Sequence, residues 1–401
     1  MRAFAYGLLL AGHALGWADR GRPVVSGYYP AYNSHLQPPS KIPWSHYTHI
    51  DYFVAPVQDD PNNPLKIEDE KNLLETVALA KAHNVSISLC IGGWTGSKFF
   101  SVLVKTNRSR DKFATSLVRI IKKYNLDGVD LDWEYPGVAG EKGNIISPAD
   151  TANLLKLLRI LRKKLGGHYR ISAAVSVKGL MGADGKYLKD TKAFSEAYDI
   201  YVSGSGGKLS GPNAPLFDEC SDPESKYSVS GGIETWTKSG FPPRKMLLGL
   251  PAYGYAYTLL SSELQPTRFS GAQGKTSLLF QNVSAETPHG GRRSGSPGQW
   301  LYHELYLDQK LAKDGTRGAA GYKRHFDTCT QTPFLFHQQS KNFIVYDDRQ
   351  SIFEKTRYAK TNSLAGINFF DTTGDTPDRK LVQTSHLLFP PTKHSRKNSH
   401  T

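Results

Sequence analysis

Eight short apolar runs, with helical patterns between them, limit the fold of this chain more than anything else in its sequence. They are predicted as strands at Val24–Tyr29, Tyr47–Val54, Val85–Ile91, a run ending near Glu134, Arg170–Val177, a run beginning at Tyr198, Met246–Pro251 and Leu364–Phe370. One amphipathic helix is predicted from Glu70 to His83, and another from Arg110 to Tyr124 with Ser109 as its N-cap. A third takes Ser147 as cap and Pro148 as first residue. Leu154, Leu157, Leu158, Leu161 and Leu165 line one side of it, and Gly166 ends it. Strands alternating with helices build a parallel sheet with right-handed crossovers, so eight of them predict an α/β fold closed into a (β/α)8 TIM barrel. The 401 residues exceed the roughly 250 of a bare barrel. The surplus lies between the seventh and eighth strands, about 255–346, where glycine, serine and proline crowd 290–298 and predict a loop-rich insertion.

The fourth run reads Asp127-Gly128-Val129-Asp130-Leu131-Asp132-Trp133-Glu134-Tyr135-Pro136-Gly137. Alternate strand residues share a face, so Asp130, Asp132 and Glu134 form a row with steps of about 6.6 Å. On a helix they would point apart. Asp127 has the other parity and reads as a strand-start residue. Crowded carboxylates do not all ionise easily, so at least one should hold a proton near neutral pH. Glu134, the outermost, is the candidate general acid, with Asp130 and Asp132 sharing charge behind it. A calcium loop is the competing reading, since Glu141 is twelfth counting from Asp130. Its sixth position is Tyr135 where such a loop needs glycine, and Leu131 and Trp133 are too apolar for it, so no metal is predicted. A purely structural acid cluster is the other alternative; three buried acids are expensive to keep without a use.

The first 18 residues have a basic start, an apolar stretch and a Gly16-Trp17-Ala18 end, which predicts a signal peptide cut after Ala18. No later run reaches about 18 apolar residues, so a secreted, extracellular chain with no membrane partner is expected. The net charge is +14, but the basic residues are scattered and no nucleic-acid motif is present. The excess suits adhesion to anionic cell-wall material rather than nucleic acid. Cys220 and Cys329 sit in loop-like surroundings and could bridge in an oxidising compartment, while Cys90 reads as a buried, inert thiol. Sequons stand at Asn84, Asn107 and Asn282, with Asn84 expected to be shielded at a strand entrance. Residues 390–401 form a basic tail predicted to be disordered.

The acid run resembles the strand-four signature of glycoside hydrolase family 18, the chitinases and their relatives, in which Asp-x-x-Asp-x-Asp-x-Glu ends a barrel strand. Gly27-Tyr28-Tyr29-Pro30, Gly92-Gly93-Trp94 and Leu250-Pro251-Ala252-Tyr253-Gly254-Tyr255 resemble the ends of its first, third and seventh strands, with Cys90 in place of a serine. The similarity runs from Val24 to roughly Leu388, is closest to secreted fungal members, and implies one catalytic barrel over 19–389. It also implies chitin or N-acetylglucosamine oligomers as partner, a monomer, and a retaining, substrate-assisted hydrolysis that needs no cofactor. Glu134 would protonate the glycosidic oxygen, Asp132 would hold the substrate acetamido N–H, and Asp130 would hold Asp132. Tyr28, Trp94, Tyr135, Tyr253 and Phe370 would line the sugar groove. Two departures stand out. The sixth strand looks truncated, running into Ser203-Gly204-Ser205-Gly206-Gly207 where the family has Met-x-Tyr-Asp, and Phe370 stands where many members have tryptophan. Losing one preorganised donor costs about 2.7–4 kcal/mol, so a catalytically weak or inactive chitin-binding protein is the alternative. An enzyme acting on N-glycan cores would share the same acids.

Overall fold

The computed structural model describes residues 23–203, 210–220, 227–268, 275–285, 288–293 and 297–390. The signal peptide predicted at 1–18 and the tail beyond residue 390 lie outside them. The first seven strands are β1 (Val24–Pro30), β2 (His49–Ala55), β3 (Ser86–Gly92), β4 (Gly128–Asp132), β5 (Arg170–Ser176), β6 (Asp199–Ser203) and β7 (Met246–Pro251). Five further strands follow as β8 (Tyr253–Thr258), β9 (Gln299–Leu301), β10 (Tyr322–Asp327), β11 (Thr332–His337) and β12 (Asn342–Val345), before β13 (Gly366–Phe370). β1 to β7 and β13 form one closed parallel barrel in the order β1-β13-β7-β6-β5-β4-β3-β2. The eight predicted strands are all present, and the cylinder closes where Ser26 of β1 pairs with Asn368 of β13.

The apolar runs are nearly continuous because each stave is buried on both faces, as parallel strands under a helical layer must be. β1 and β4 are buried along their whole length. The helices α1 (Glu70–Ala82), α2 (Phe100–Val104), α3 (Asn107–Lys123) and α4 (Asp150–Leu165) cover the first half of the barrel. In α4, Leu154, Leu157, Leu158, Leu161 and Leu165 are buried and Gly166 ends the helix at φ 73°, as the periodicity predicts. Its start differs. The helix begins at Asp150 rather than Pro148, and the Asp150 carboxylate accepts the N–H groups of Ser147 and Gly137 and the hydroxyl of Ser101. α3 also begins earlier than expected, because Thr106 is its cap and Ser109 reaches back from N3 to close a capping box. Arg110, expected as the first residue, lies buried inside the helix instead.

The second half adds α5 (Lys192–Ser195), α6 (Val229–Lys238), α7 (Tyr302–Leu307), α8 (Arg349–Thr361) and α9 (Lys380–Ser385). The insertion after β7 is loop-rich, as expected, but it is not loop alone. It carries a five-stranded antiparallel sheet, ordered β10-β11-β12-β8-β9, packed on Leu259, Leu279, Phe334, Phe336, Phe343 and Val345. Glycine and proline near 290–298 hid it, since the strands lie on either side of that stretch. A disulfide joins Cys220, beyond β6, to Cys329 in the β10–β11 turn, with Cα atoms 5.9 Å apart. Cys90 is a buried free thiol. Asn84, expected to be shielded, is exposed, as are Asn107 and Asn282. Among the described residues no helix is long and apolar enough to cross a membrane.

β6 is five residues long and pairs with both neighbours, Ser176 opposite Ser203 on one side and Ile200 opposite Met246 on the other. The stave is therefore continuous as backbone through Ser203. Residues 204–209, where the glycine-rich replacement of the family motif falls, lie outside the described residues.

Candidate active site

β4 sorts its side chains by parity. Val129, Leu131 and Trp133 are buried in the main core, where the Trp133 ring stacks on Phe100 of α2 with centroids 5.0 Å apart. Asp130 and Asp132 take the opposite parity, toward the barrel interior, and are also buried. The strand ends at Asp132, two residues before the expected end, so Glu134 sits on the following bend and is half-buried. Its backbone is held on both sides: its N–H donates to Ser97 Oγ at 3.1 Å and its carbonyl accepts from Asn144 Nδ2 at 3.2 Å. Asp127 is the strand-start clamp its parity suggests, accepting from Lys81 Nζ at 2.7 Å and from the Ile87 N–H at 2.8 Å.

Asp130 is surrounded by donors. Tyr28 Oη donates to Oδ2 at 2.9 Å, Ser172 Oγ donates to Oδ1 at 2.7 Å, and the Cys90 thiol faces the same carboxylate. Burial and the nearby Asp51 charge still push its pKa up to about 7. Asp132 is raised well above the carboxylate range by burial, then by the charges of Glu134 and Asp130. Ser97 Oγ donates to its backbone carbonyl at 3.0 Å, but among the described residues no side chain donates to its carboxylate. Burial raises Glu134 as well, partly offset by a hydrogen bond from Tyr135. Burial thus favours the neutral form of each of the three acids, and the outermost lies just past the end of β4.

Two groups behind this row were not singled out in the sequence. Asp51 of β2 accepts from Ser26 Oγ at 3.1 Å and lies 3.0 Å from His49 Nε2, and Asn368 Nδ2 donates to Ser26 Oγ at 2.7 Å. Its signal was available: an acid two residues after a histidine, on one face of an otherwise apolar strand. Phe53 is the other, edge-on to Tyr28 at 5.6 Å and to Phe370 at 5.3 Å.

The aromatics divide by exposure. Tyr28 was expected in the sugar groove but is 4% exposed, its ring against Phe53 and Phe370 and its hydroxyl committed to Asp130. Trp94 is 47% exposed. It follows Gly93, whose N–H donates to the Asp132 carbonyl at 2.8 Å, so the ring is anchored beside the end of the acid strand. Gly92 makes this turn possible: its φ is 102°, and a Cβ there would lie 2.4 Å from the Asp132 carbonyl oxygen. Phe370 and Tyr253 are half-buried and meet edge-on at 6.2 Å, while Tyr135 is half-buried beside Glu134.

The profile of Glycosyl hydrolases family 18 matches residues 24–375. A chitinase-like effector of Moniliophthora roreri is 31% identical over 393 residues, 92% of this chain and 94% of its own length. A chitinase-like effector of Moniliophthora perniciosa is 30% identical, covering 88% of this chain and 84% of its own. Among solved structures, a chitinase from Rhizomucor miehei superimposes with a TM-score of 0.79 and 26% identity, covering 91% of this chain and 99% of that one. Fold, acid row and sequence agree over nearly the same span, and the chain belongs to family 18 of the glycosyl hydrolases.

Proposed function

We propose that this chain is a secreted chitinase that hydrolyses β-1,4-linked N-acetylglucosamine with retention and with assistance from the substrate's own acetamido group. The observation that carries this reading is the row Asp130, Asp132, Glu134 inside one end of the barrel, with the outermost acid raised and half-exposed. Glu134 delivers its proton to the glycosidic oxygen, and the acetamido oxygen attacks the anomeric carbon. Asp132 orients the acetamido N–H and balances the charge that develops; Asp130, held by Tyr28 and Ser172, regulates the proton on Asp132. Glu134 then takes a proton from the attacking water. Trp94, Tyr253, Phe370 and Tyr135 offer ring faces and edges for the sugars. The Cys220–Cys329 disulfide supports an extracellular location.

The test is turnover of a fluorogenic chitobioside by the purified chain. Glu134→Gln should abolish it, by at least about 10³-fold, while chitin binding stays within a few-fold. Full turnover by this variant would remove the assignment.

A second reading, chitin binding without turnover, is favoured by the absence of Tyr-Asp at the end of β6 and by the lack of a side-chain donor to the Asp132 carboxylate among the described residues. The two relatives named chitinase-like effector fit either reading. Native chain that binds chitin oligomers but releases no product decides for the second. Restoring Met-x-Tyr-Asp after Val202 should then raise turnover.

A further inference from the structure

The basic residues that look scattered along the sequence are gathered by the fold. α3 carries six of them against Asp111 alone, and α4 carries five against Asp150 alone, so 33 residues hold +9 of the chain's +14. The two helices are neighbours on the outer wall: Lys164 pairs with Asp111 at 3.0 Å and Arg110 donates to Asn153 Oδ1 at 2.9 Å. Asp150, the acid of α4, is fully buried. Arg108, Arg119 and Lys122 on α3 and Lys156, Arg159 and Lys163 on α4 are exposed. Among the described residues none of these six pairs with an acid.

Helical spacing puts them in two stripes. Lys156, Arg159 and Lys163 follow at three and four residues and span roughly 10 Å; Arg108 to Lys122 span roughly 21 Å. A cationic strip this long, extended along two helices, fits a linear polyanion rather than a single ion. We infer that this face binds an acidic polysaccharide, a polymer of carboxylate-bearing sugars, and holds the enzyme beside it. Among the described residues none of the exposed large apolar side chains lies on α3 or α4, so the face has nothing to insert into a lipid surface and no ring on which bases could stack. Charge alone would therefore hold the polymer. Both helices flank the strand that bears the acids, and their outer faces point away from the barrel interior, which leaves the open end free.

The probe is polygalacturonate with the purified full chain. Binding is expected at low salt and should weaken roughly tenfold between about 50 and 200 mM salt, as counterions compete. Lys122→Glu, Lys156→Glu and Lys163→Glu together should weaken it by roughly tenfold or more. Lys313→Glu, Lys323→Glu and Lys360→Glu, with the same change in net charge, should change it by less than about twofold. Thermal melts check that both triples fold, and the corresponding Gln triple gives the same direction if the Glu triple does not. Chitin hydrolysis or binding should be unchanged in each. No binding by the native chain, equal loss in both triples, or equal or tighter binding to duplex DNA or to phosphatidylserine vesicles would overturn the proposal.

Discussion

Asp130 shows how much one buried carboxylate depends on its neighbours. Its folded pKa, about 7, lies above the ordinary value of 3.8, so its proton stabilises the fold fully below about pH 4. That contribution is lost as pH rises through 7. Tyr28 Oη opposes the shift by donating to the ionised form. Tyr28→Phe should therefore move the Asp130 titration further upward and lower kcat by about tenfold, the worth of one hydrogen bond to a charged group. The pH profile of kcat and the pH dependence of unfolding should shift in the same sense, with KM little changed. An unmoved profile would mean that the phenol only packs. The acid row was legible because strand parity and three acids leave few alternatives. The burial of Tyr28 was not, since an aromatic at a strand end reads the same whether it faces sugar or a carboxylate behind it.

Elements were legible where one period dominates, as in α4, and misread where side chains rewrite a boundary. Asp150, not Ser147, organises the start of α4, because it collects three donors from separate segments. No local pattern announces that. The added sheet was missed for a related reason: its strands are short and its partners distant in sequence. Besides the disulfide, a buried ion pair ties that sheet to a barrel helix. Lys355 of α8 meets Asp347, two residues past β12, with both side chains fully buried and Ser351 Oγ donating to the same carboxylate at 2.7 Å. Lys355→Ala would strand a buried charge and should cost about 3–5 kcal/mol in denaturant unfolding. Replacing both partners by leucine should recover most of that loss. If the single and double variants unfold alike, the junction does not depend on the pair.

At the scale of the whole molecule, the C-terminal helix α9 returns to the first βα connection through two histidines. The rings of His46 and His386 stack with centroids 5.0 Å apart, their Nδ1 atoms 3.4 Å from each other, and His386 Nε2 lies 3.1 Å from the His46 carbonyl. Nε2–H of His386 donates to that carbonyl, so its Nδ1 must accept from Nδ1–H of His46. Only one shared proton fits. Burial lowers both pKa values, and for His46 the charges of His386 and Arg379 lower it further. The unfolded chain therefore takes up protons first, and stability should fall as pH drops below about 6.5. Melting temperatures at pH 7 and pH 5 should differ less in His386→Asn than in the native chain. Equal differences would exclude the pair as the source.

The barrel seam has a consequence for partial chains. Asn368 meets Ser26 across 342 positions, and β13 supplies hydrogen bonds to β1 on one side and to β7 on the other. Until that last stave arrives, both of its neighbours present unsatisfied backbone along a flat, apolar border. Any product that stops short of Gly366 carries two adhesive margins in place of a sealed cylinder, and is expected to precipitate with its own kind rather than survive as a smaller working protein.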